Sequence, residues 1–145
     1  MNTDYKITRK QADLLYKNLS YTIRGAAIEV KKNYGLGHKE VLYQRAFAEE
    51  LALRKIHYER EKPVKIYSPK TKKVIASYQP DFVVENKIIV ELKALEKTPQ
   101  IAIDRVYSYL RNSEYELGFL INFCSNGVDI KRIIYTTDRK KHVQR

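Results

Sequence analysis

Two short runs of β-branched and aromatic residues, separated by a polar break, lie within residues 77–93, SYQPDFVVENKIIVELK. This pattern is typical of a β-hairpin, and a turn at residues 85–87 fixes which side chains share a face. The pairing places Asp81 opposite Glu91, with Lys93 two residues further along the same face. A shift of one residue would separate the two carboxylates onto opposite faces. The other face is predicted to be apolar throughout: Phe82, Val84, Ile88, Val90 and Leu92.

The carboxylates of Asp81 and Glu91 are predicted to be neighbours, because opposed residues have Cβ atoms about 4.5–5.5 Å apart. Two adjacent carboxylates repel each other, and Lys93 alone cannot neutralise both. A divalent cation can, and hard oxygen ligands favour Mg²⁺ or Mn²⁺. Lys93 would then orient a water molecule or contact a phosphate. The pattern alone leaves a second interpretation open, in which these charges form an ordinary surface arrangement on a half-exposed strand.

Length and composition predict one soluble domain spanning residues 1–145. The net charge, 28 − 17 = +11, favours polyanionic partners, and 43% hydrophobic residues indicate a folded domain rather than a basic disordered arm. The single cysteine, Cys124, excludes an internal disulfide and fits a reducing compartment. It lies in the apolar run LGFLINFC, where a strand thiol is expected rather than a nucleophile. No segment has the apolar length of a membrane span, so a cytoplasmic protein is expected.

The chain is predicted to form an α/β fold in which helices flank a mixed β-sheet, in the order α-α-β-β-β-α-β-β. The predicted elements are a helix from a capping box at Thr8 and Gln11 to a stop at 33–37, a helix over about 38–55, strands within 58–69, 72–85 and 87–95, a helix capped by Thr98 and running to about Asn112, and strands at 117–123 and 130–137.

The hairpin sequence PDFVVENKIIVELK resembles the active-site hairpin of the PD-(D/E)XK nuclease superfamily. Pro80 and Asp81 match its first half, and Glu91, Leu92 and Lys93 match its second half. The resemblance covers residues from about 15 to 135. It implies a restriction-endonuclease-like core and a Mg²⁺- or Mn²⁺-dependent nuclease that hydrolyses phosphodiester bonds in DNA or RNA. A homodimer would suit the cutting of two strands, although no segment identifies its interface.

A second motif, GHKEVLY, resembles the G-x-x-E-x-x-Y signature of the small bacterial GxxExxY proteins, at Gly37, Glu40 and Tyr43. The resemblance implies that Glu40 completes the acidic cluster as an outer metal ligand. A carboxylate in the first turn of a helix is also favoured by the helix dipole, whatever its function. Tyr43, one turn further on, can equally well be a core residue or contact the substrate.

The resemblance also implies a role for each remaining residue of the site. Asp81 and Glu91 would hold the metal with help from the backbone carbonyl of Leu92, and Lys93 would position the attacking water. On the third helix, Arg105 precedes Tyr109 by four residues, where the family usually has a glutamine. The arginine can hold a substrate phosphate, or it can pair with the carboxylates in place of a metal. The second possibility predicts a nuclease fold without catalysis, kept to bind nucleic acid or a protein partner.

Overall fold

The computed structural model describes residues 15–140 and 142–143. The proposed capping box at Thr8 and Gln11 therefore lies outside the described residues. The helices in this part of the chain are α1 (Lys17–Tyr34), α2 (Glu40–Leu53) and α3 (Gln100–Arg111), with a 3₁₀ turn at Thr137–Arg139. The strands are β1 (Tyr58–Arg60), β2 (Val64–Tyr67), β3 (Val74–Tyr78), β4 (Phe82–Val84), β5 (Ile88–Lys93), β6 (Leu117–Cys124) and β7 (Gly127–Ile134).

A five-stranded mixed sheet forms the centre of the fold, in the order β1-β4-β5-β6-β7. Only β5 and β6 are parallel, and α3 connects them. The other neighbours in this sheet are antiparallel. Helices α1 and α2 pack on one face of the sheet and α3 packs on the other. The predicted α/β architecture, a mixed sheet flanked by helices, is confirmed.

The hairpin of β4 and β5 has the predicted register. Phe82 pairs with Val90, Val83 with Ile89, and Val84 with Ile88. The side chains predicted to share an apolar face are all buried against α1 and α2: Phe82, Val84, Ile88, Val90 and Leu92. Val83 and Ile89 are buried on the opposite face, against α3. Glu91 and Lys93 point to the α3 side by the same alternation.

Two predicted strands are each broken into two pieces, so the three predicted strands of this region become five. The break between β1 and β2 contains Pro63, and the break between β3 and β4 contains Pro80. Proline has no backbone N–H to donate to a sheet ladder, so both strands leave their ladder there. Two of the pieces, β2 and β3, pair only with each other, as a separate two-stranded sheet.

Helix boundaries differ from the sequence prediction at the starts of α1 and α3. The first helix was predicted to continue from Thr8, but α1 begins at Lys17, after Tyr16 with φ 50°. Gly35, with φ 75°, follows α1 and ends it as predicted. The N-terminal cap of α3 is Pro99, whose carbonyl accepts from Ala102 N at 3.1 Å. The proposed capping by Thr98 is wrong, because its hydroxyl donates to the Asp129 carboxylate instead. Across the described residues, no helix has the length and apolar character needed to cross a bilayer.

Candidate active site

Asp81 and Glu91 meet where β4 begins beside the carboxyl end of β5. Asp81 directly precedes β4, and its Oδ2 accepts a hydrogen bond from Leu92 N at 2.8 Å. This bond fixes the aspartate beside the strand that carries Glu91. Arg60, on β1, donates from Nε to the Asp81 carbonyl at 3.1 Å and holds the same residue from its other side. The adjacency predicted from the hairpin register is therefore present.

Both carboxyl groups are difficult to ionise in this position. Burial, and then the charge of Asp81, raise the pKa of Glu91 to about 8. Burial also raises the pKa of Asp81, although the Leu92 N–H and the charge of Lys93 oppose this shift. Glu91 is therefore mostly protonated at neutral pH in the free protein. Carboxyl groups with strongly raised pKa values, partly buried beside one another, are more common at functional sites than elsewhere.

The donor set around this pair fits a hard divalent cation. Within residues 15–140 and 142–143, no group of three or more His, Cys, Asp or Glu side chains is arranged to hold a metal ion. Mg²⁺ commonly uses only one or two carboxylates and keeps several water molecules. Asp81 and Glu91 meet that requirement, because two neighbouring carboxylates are stabilised by a positive charge between them. The carbonyl of Leu92 belongs to the same strand segment.

Glu40 lies at the start of α2, near enough for its charge to act on the same cluster. Burial raises the pKa of Glu40, the charge of Lys93 opposes that shift, and the charge of Asp81 adds to it. The fold thus brings together Glu40, Asp81 and Lys93, which are far apart in the sequence. The role of Glu40 as an outer metal ligand stays a prediction.

A pocket of about 180 Å³ opens on the α3 side of the sheet, next to the carboxyl pair. Glu91 and Lys93 line it from β5, and Arg105 and Tyr109 line it from α3. Arg105 is exposed, and it forms no ion pair with any residue in the described part of the chain. The arginine therefore does not neutralise the two carboxylates.

Tyr78 is a pocket residue that the sequence analysis did not identify. It is the last residue of β3, and its ring stacks on Tyr109 with centroids 3.6 Å apart. Its hydroxyl is buried and finds no hydrogen-bond partner among the described residues. Burial, and then the charge of Glu91, raise the pKa of this hydroxyl. No local pattern marks Tyr78, because its place depends on how β3 folds back over α3.

Tyr43 lies in the core, away from the pocket. It is 0% exposed, and its ring stacks on Phe123 at 4.1 Å. Its hydroxyl donates to Gly35 O at 2.8 Å and accepts from His38 N at 3.3 Å. These hydrogen bonds connect the loop before α2 to the helix, and so they help to fix the position of Glu40 at the start of α2. Of the two interpretations of Tyr43, its surroundings agree with the core residue.

Asn122 is a second residue that the sequence analysis missed. It pairs with Lys93 in the parallel register of β5 and β6, and it is 0% exposed. Its side chain accepts from Leu95 N at 2.9 Å, and donates to Leu95 O and Thr98 Oγ1, both at 3.1 Å. These bonds attach the segment after Lys93 to β6. A lone amide inside the apolar run LGFLINFC was the signal that could have indicated it.

Comparison with known proteins supports the resemblance. No curated protein and no solved structure matches the chain. A family model described as the PD-(D/E)XK nuclease superfamily matches residues 17–133, which is most of the chain. This range contains the carboxyl pair, Lys93 and every lining residue of the pocket. The chain belongs to the PD-(D/E)XK nuclease superfamily.

Proposed function

We propose that the protein is a divalent-metal-dependent nuclease that hydrolyses phosphodiester bonds in DNA or RNA. One observation carries the proposal. Two partly buried carboxyl groups, Asp81 and Glu91, are adjacent, and Glu91 lines a pocket together with Lys93 and Arg105. The membership of the chain in a nuclease superfamily supports the same reaction.

The metal would be held by Asp81, Glu91 and the Leu92 carbonyl, with Glu40 as an outer ligand. When bound, Mg²⁺ or Mn²⁺ would lower the pKa of a water molecule and stabilise negative charge on the phosphate. The Leu92 N–H keeps one oxygen of Asp81 hydrogen-bonded, so the aspartate has a fixed orientation. Because the pKa of Glu91 is high, Glu91 would release its proton when a cation binds between the two carboxylates.

Lys93 is the residue proposed to position the attacking water. It lies on the same strand face as Glu91, two residues away, and both line the pocket. The charge of Lys93 lowers the pKa of Asp81, Glu91 and Glu40, so its positive charge acts on all three carboxyl groups. An ammonium group there can hold a water molecule or a phosphate oxygen by charge-assisted hydrogen bonds.

Arg105 and Tyr109 are proposed to contact the substrate from α3. Arg105 is exposed at the pocket and has no ion-pair partner in the described part of the chain, so its guanidinium group is available to a phosphate. Tyr109 stacks on Tyr78 and forms one wall of the same pocket. Together they would hold the nucleotide beside the carboxyl pair.

The test is cleavage of labelled single- and double-stranded DNA and RNA in the presence of Mn²⁺ or Mg²⁺. The matched control is Asp81→Asn, which keeps an oxygen to accept from Leu92 N but loses the negative charge. We expect cleavage by the wild type, with a loss of at least about a hundredfold in the variant. Equal cleavage by both proteins, or none by the wild type with any substrate, would contradict the proposal.

We also propose that the chain is one of the small bacterial GxxExxY proteins. Each residue of the signature has a physical role here. Gly37 has φ 90°, which favours glycine, and Tyr43 hydrogen-bonds the preceding loop at Gly35. Glu40 begins α2 beside the acidic cluster. A single domain, a cytoplasmic location and a homodimer stay predictions.

A second candidate function is nucleic-acid or protein binding by a nuclease fold without catalysis. It is favoured by Arg105 at the place where the family usually has a glutamine. Such a protein would bind nucleic acid equally well in EDTA and in Mn²⁺, and would leave it intact. Tighter binding in Mn²⁺, lost in Asp81→Asn, would favour the nuclease instead.

A further inference from the structure

The two-stranded sheet of β2 and β3, residues 64–78, is here named the ribbon. Its strands pair from Val64 opposite Tyr78 to Tyr67 opposite Val74. The ribbon is anchored along β2, where Val64 and Tyr67 are buried, and Tyr67 N donates to Asn112 O at 2.9 Å. These contacts attach it firmly to the end of α3.

The other strand of the ribbon, β3, faces solvent. Val74 is 49% exposed and Ile75 is 67% exposed, although both are large apolar side chains. The register shifts between Ile66 and Tyr67, so Ile75 has no opposite residue in β2. Within the described residues, β3 pairs with β2 alone, so its second edge is open. An open edge with exposed apolar residues commonly marks a binding surface.

The ribbon is also strongly basic. Residues 64–78 contain four lysines and no aspartate or glutamate. None of the four forms an ion pair with any described residue: Lys65, Lys70, Lys72 and Lys73. Their charges are therefore available to a polyanion.

The turn that carries three of these lysines has a defined conformation. Ser68 Oγ accepts from Lys70 N and Thr71 N, both at 3.2 Å. Lys72 N donates to Ser68 O at 2.8 Å, and Ser68 N donates to Lys73 O at 2.8 Å. An ordered turn presents its lysines at fixed spacing, so less entropy is lost when they bind.

We propose that the ribbon binds the major groove of double-stranded DNA beside the candidate active site, an inference that rests on the proposed nuclease function. The major groove is about 12 Å wide and admits a two-stranded β-ribbon, whereas the major groove of duplex RNA is too deep and narrow. The turn lysines contact phosphates, and Val74 and Ile75 make apolar contacts with base edges.

The ribbon leads directly to the carboxyl pair. Tyr78 ends β3 and lines the pocket with Glu91, and only Gln79 and Pro80 separate it from Asp81. The five residues of β3 span about 16 Å, at roughly 3.3 Å per residue. DNA seated on the ribbon would therefore have a backbone within reach of the pocket, about five base pairs from the turn.

The test compares two charge-matched triple variants. The ribbon variant is Lys70→Gln, Lys72→Gln and Lys73→Gln. The control is Lys17→Gln, Lys55→Gln and Lys87→Gln, which removes three exposed lysines outside the ribbon. Binding of duplex DNA, single-stranded DNA and duplex RNA is measured by fluorescence anisotropy at several salt concentrations. EDTA is present, so binding is read out without cleavage.

For duplex DNA, we expect the ribbon variant to bind at least about tenfold more weakly than the control near 0.1 M salt. The slope of log K against log salt should become shallower by about one for each lysine that no longer neutralises a phosphate. Equally weakened binding in both variants would overturn the proposal, as would an effect confined to single strands or RNA. A wild type that does not bind duplex DNA would also overturn it.

A further variant distinguishes DNA from a second copy of the chain along the open edge. Ile75→Ser should weaken duplex binding and leave the oligomeric state unchanged in gel filtration. A changed oligomeric state with unchanged DNA affinity would overturn the proposal in favour of self-association.

The failures of the two proposals can be told apart. If the wild type binds duplex DNA without cutting it, the nuclease function is rejected and DNA binding by the ribbon is retained. If the ribbon variant still cuts DNA and binds it as tightly as the control, only DNA binding by the ribbon is rejected.

Discussion

At the scale of single residues, Glu91 stands out as a partly buried carboxyl group beside a second carboxyl group, Asp81. Burial, and then the negative charge of Asp81, raise its pKa to about 8. The charge of Lys93 opposes this shift without cancelling it. The proposed cation would relieve the repulsion between these two groups that remains in the metal-free protein.

Lys93→Ala tests the residue nearest the proposed chemistry. If Lys93 positions the attacking water, cleavage should fall by about 10²–10⁴-fold. A water-positioning residue is not a metal ligand, so the variant should still bind Mn²⁺. The measurements are the cleavage rate and a metal titration on the same protein.

The matched control is Lys87→Ala, which removes an exposed lysine just before β5, at the opposite end of that strand. It should cut like the wild type, and its stability should change by about 0.5 kcal/mol or less. Full activity in Lys93→Ala would remove the role assigned to that lysine.

Removing the hydroxyl of Tyr78 and removing that of Tyr43 should have different effects on the stability of the fold. Tyr78→Phe deletes a buried hydroxyl with no partner in the described part of the chain, so stability should be unchanged or higher by up to about 1 kcal/mol. Tyr43→Phe deletes the bonds to Gly35 and His38, and should cost about 1–2 kcal/mol. Urea denaturation of both variants measures the difference. A larger destabilisation in Tyr78→Phe would show that its hydroxyl has a partner.

The residues of the site were predictable from the sequence only where they follow from local geometry. Asp81 and Glu91 could be paired because strand alternation and a short turn fix the register of one hairpin. Tyr78 and Asn122 could not, because their positions depend on the packing of β3 over α3 and on the pairing of β5 with β6. Contacts between distant segments leave no periodic pattern.

At the scale of elements, the segment between β5 and α3 is held by side chains rather than by a helix cap. Thr98 was expected to cap α3, but its hydroxyl joins Asn122 and Asp129 instead. This network ties the segment after Lys93 to β6 and β7. The strand breaks at Pro63 and Pro80 are the other difference from the prediction. A proline shows where a strand can break, but it does not show which strand each resulting segment pairs with.

Asn122→Ala should therefore destabilise the fold by about 2–3 kcal/mol, because it leaves polar groups at Leu95 unpaired. The control is Asn18→Ala, an exposed amide on α1, which should change stability by about 0.5 kcal/mol or less. Thermal or urea unfolding distinguishes them. Equal changes in stability for the two variants would mean that the hydrogen bonds of Asn122 contribute little to the stability of the fold.

At the scale of the whole molecule, the metal-free protein should become less stable as pH rises. Folding raises the pKa of Glu91 from about 4.5 to about 8, so between these values the folded chain keeps a proton that the unfolded chain releases. The stability linked to this proton is complete below pH 4.5 and is lost as pH rises through 8. The shifts of Asp81 and Glu40 have the same sign.

One proton gives a slope of up to about 1.4 kcal/mol per pH unit. Urea denaturation in EDTA from about pH 5 to about pH 9 measures it, and Glu91→Gln should flatten the curve. The same pH dependence in Glu91→Gln as in the wild type would mean that Glu91 does not titrate in this range.

The central claim is that Asp81 and Glu91 hold a divalent cation in a nuclease site, and calorimetric titration with Mn²⁺ tests it most directly. We predict one Mn²⁺ per chain with a Kd in the micromolar range, retained in Lys93→Ala and lost in Glu91→Gln. Because Glu91 is protonated beforehand, binding at neutral pH should also release a proton, detected by repeating the titration in buffers of different ionisation enthalpy. Identical binding by the wild type and Glu91→Gln, or no binding by either, would contradict the account.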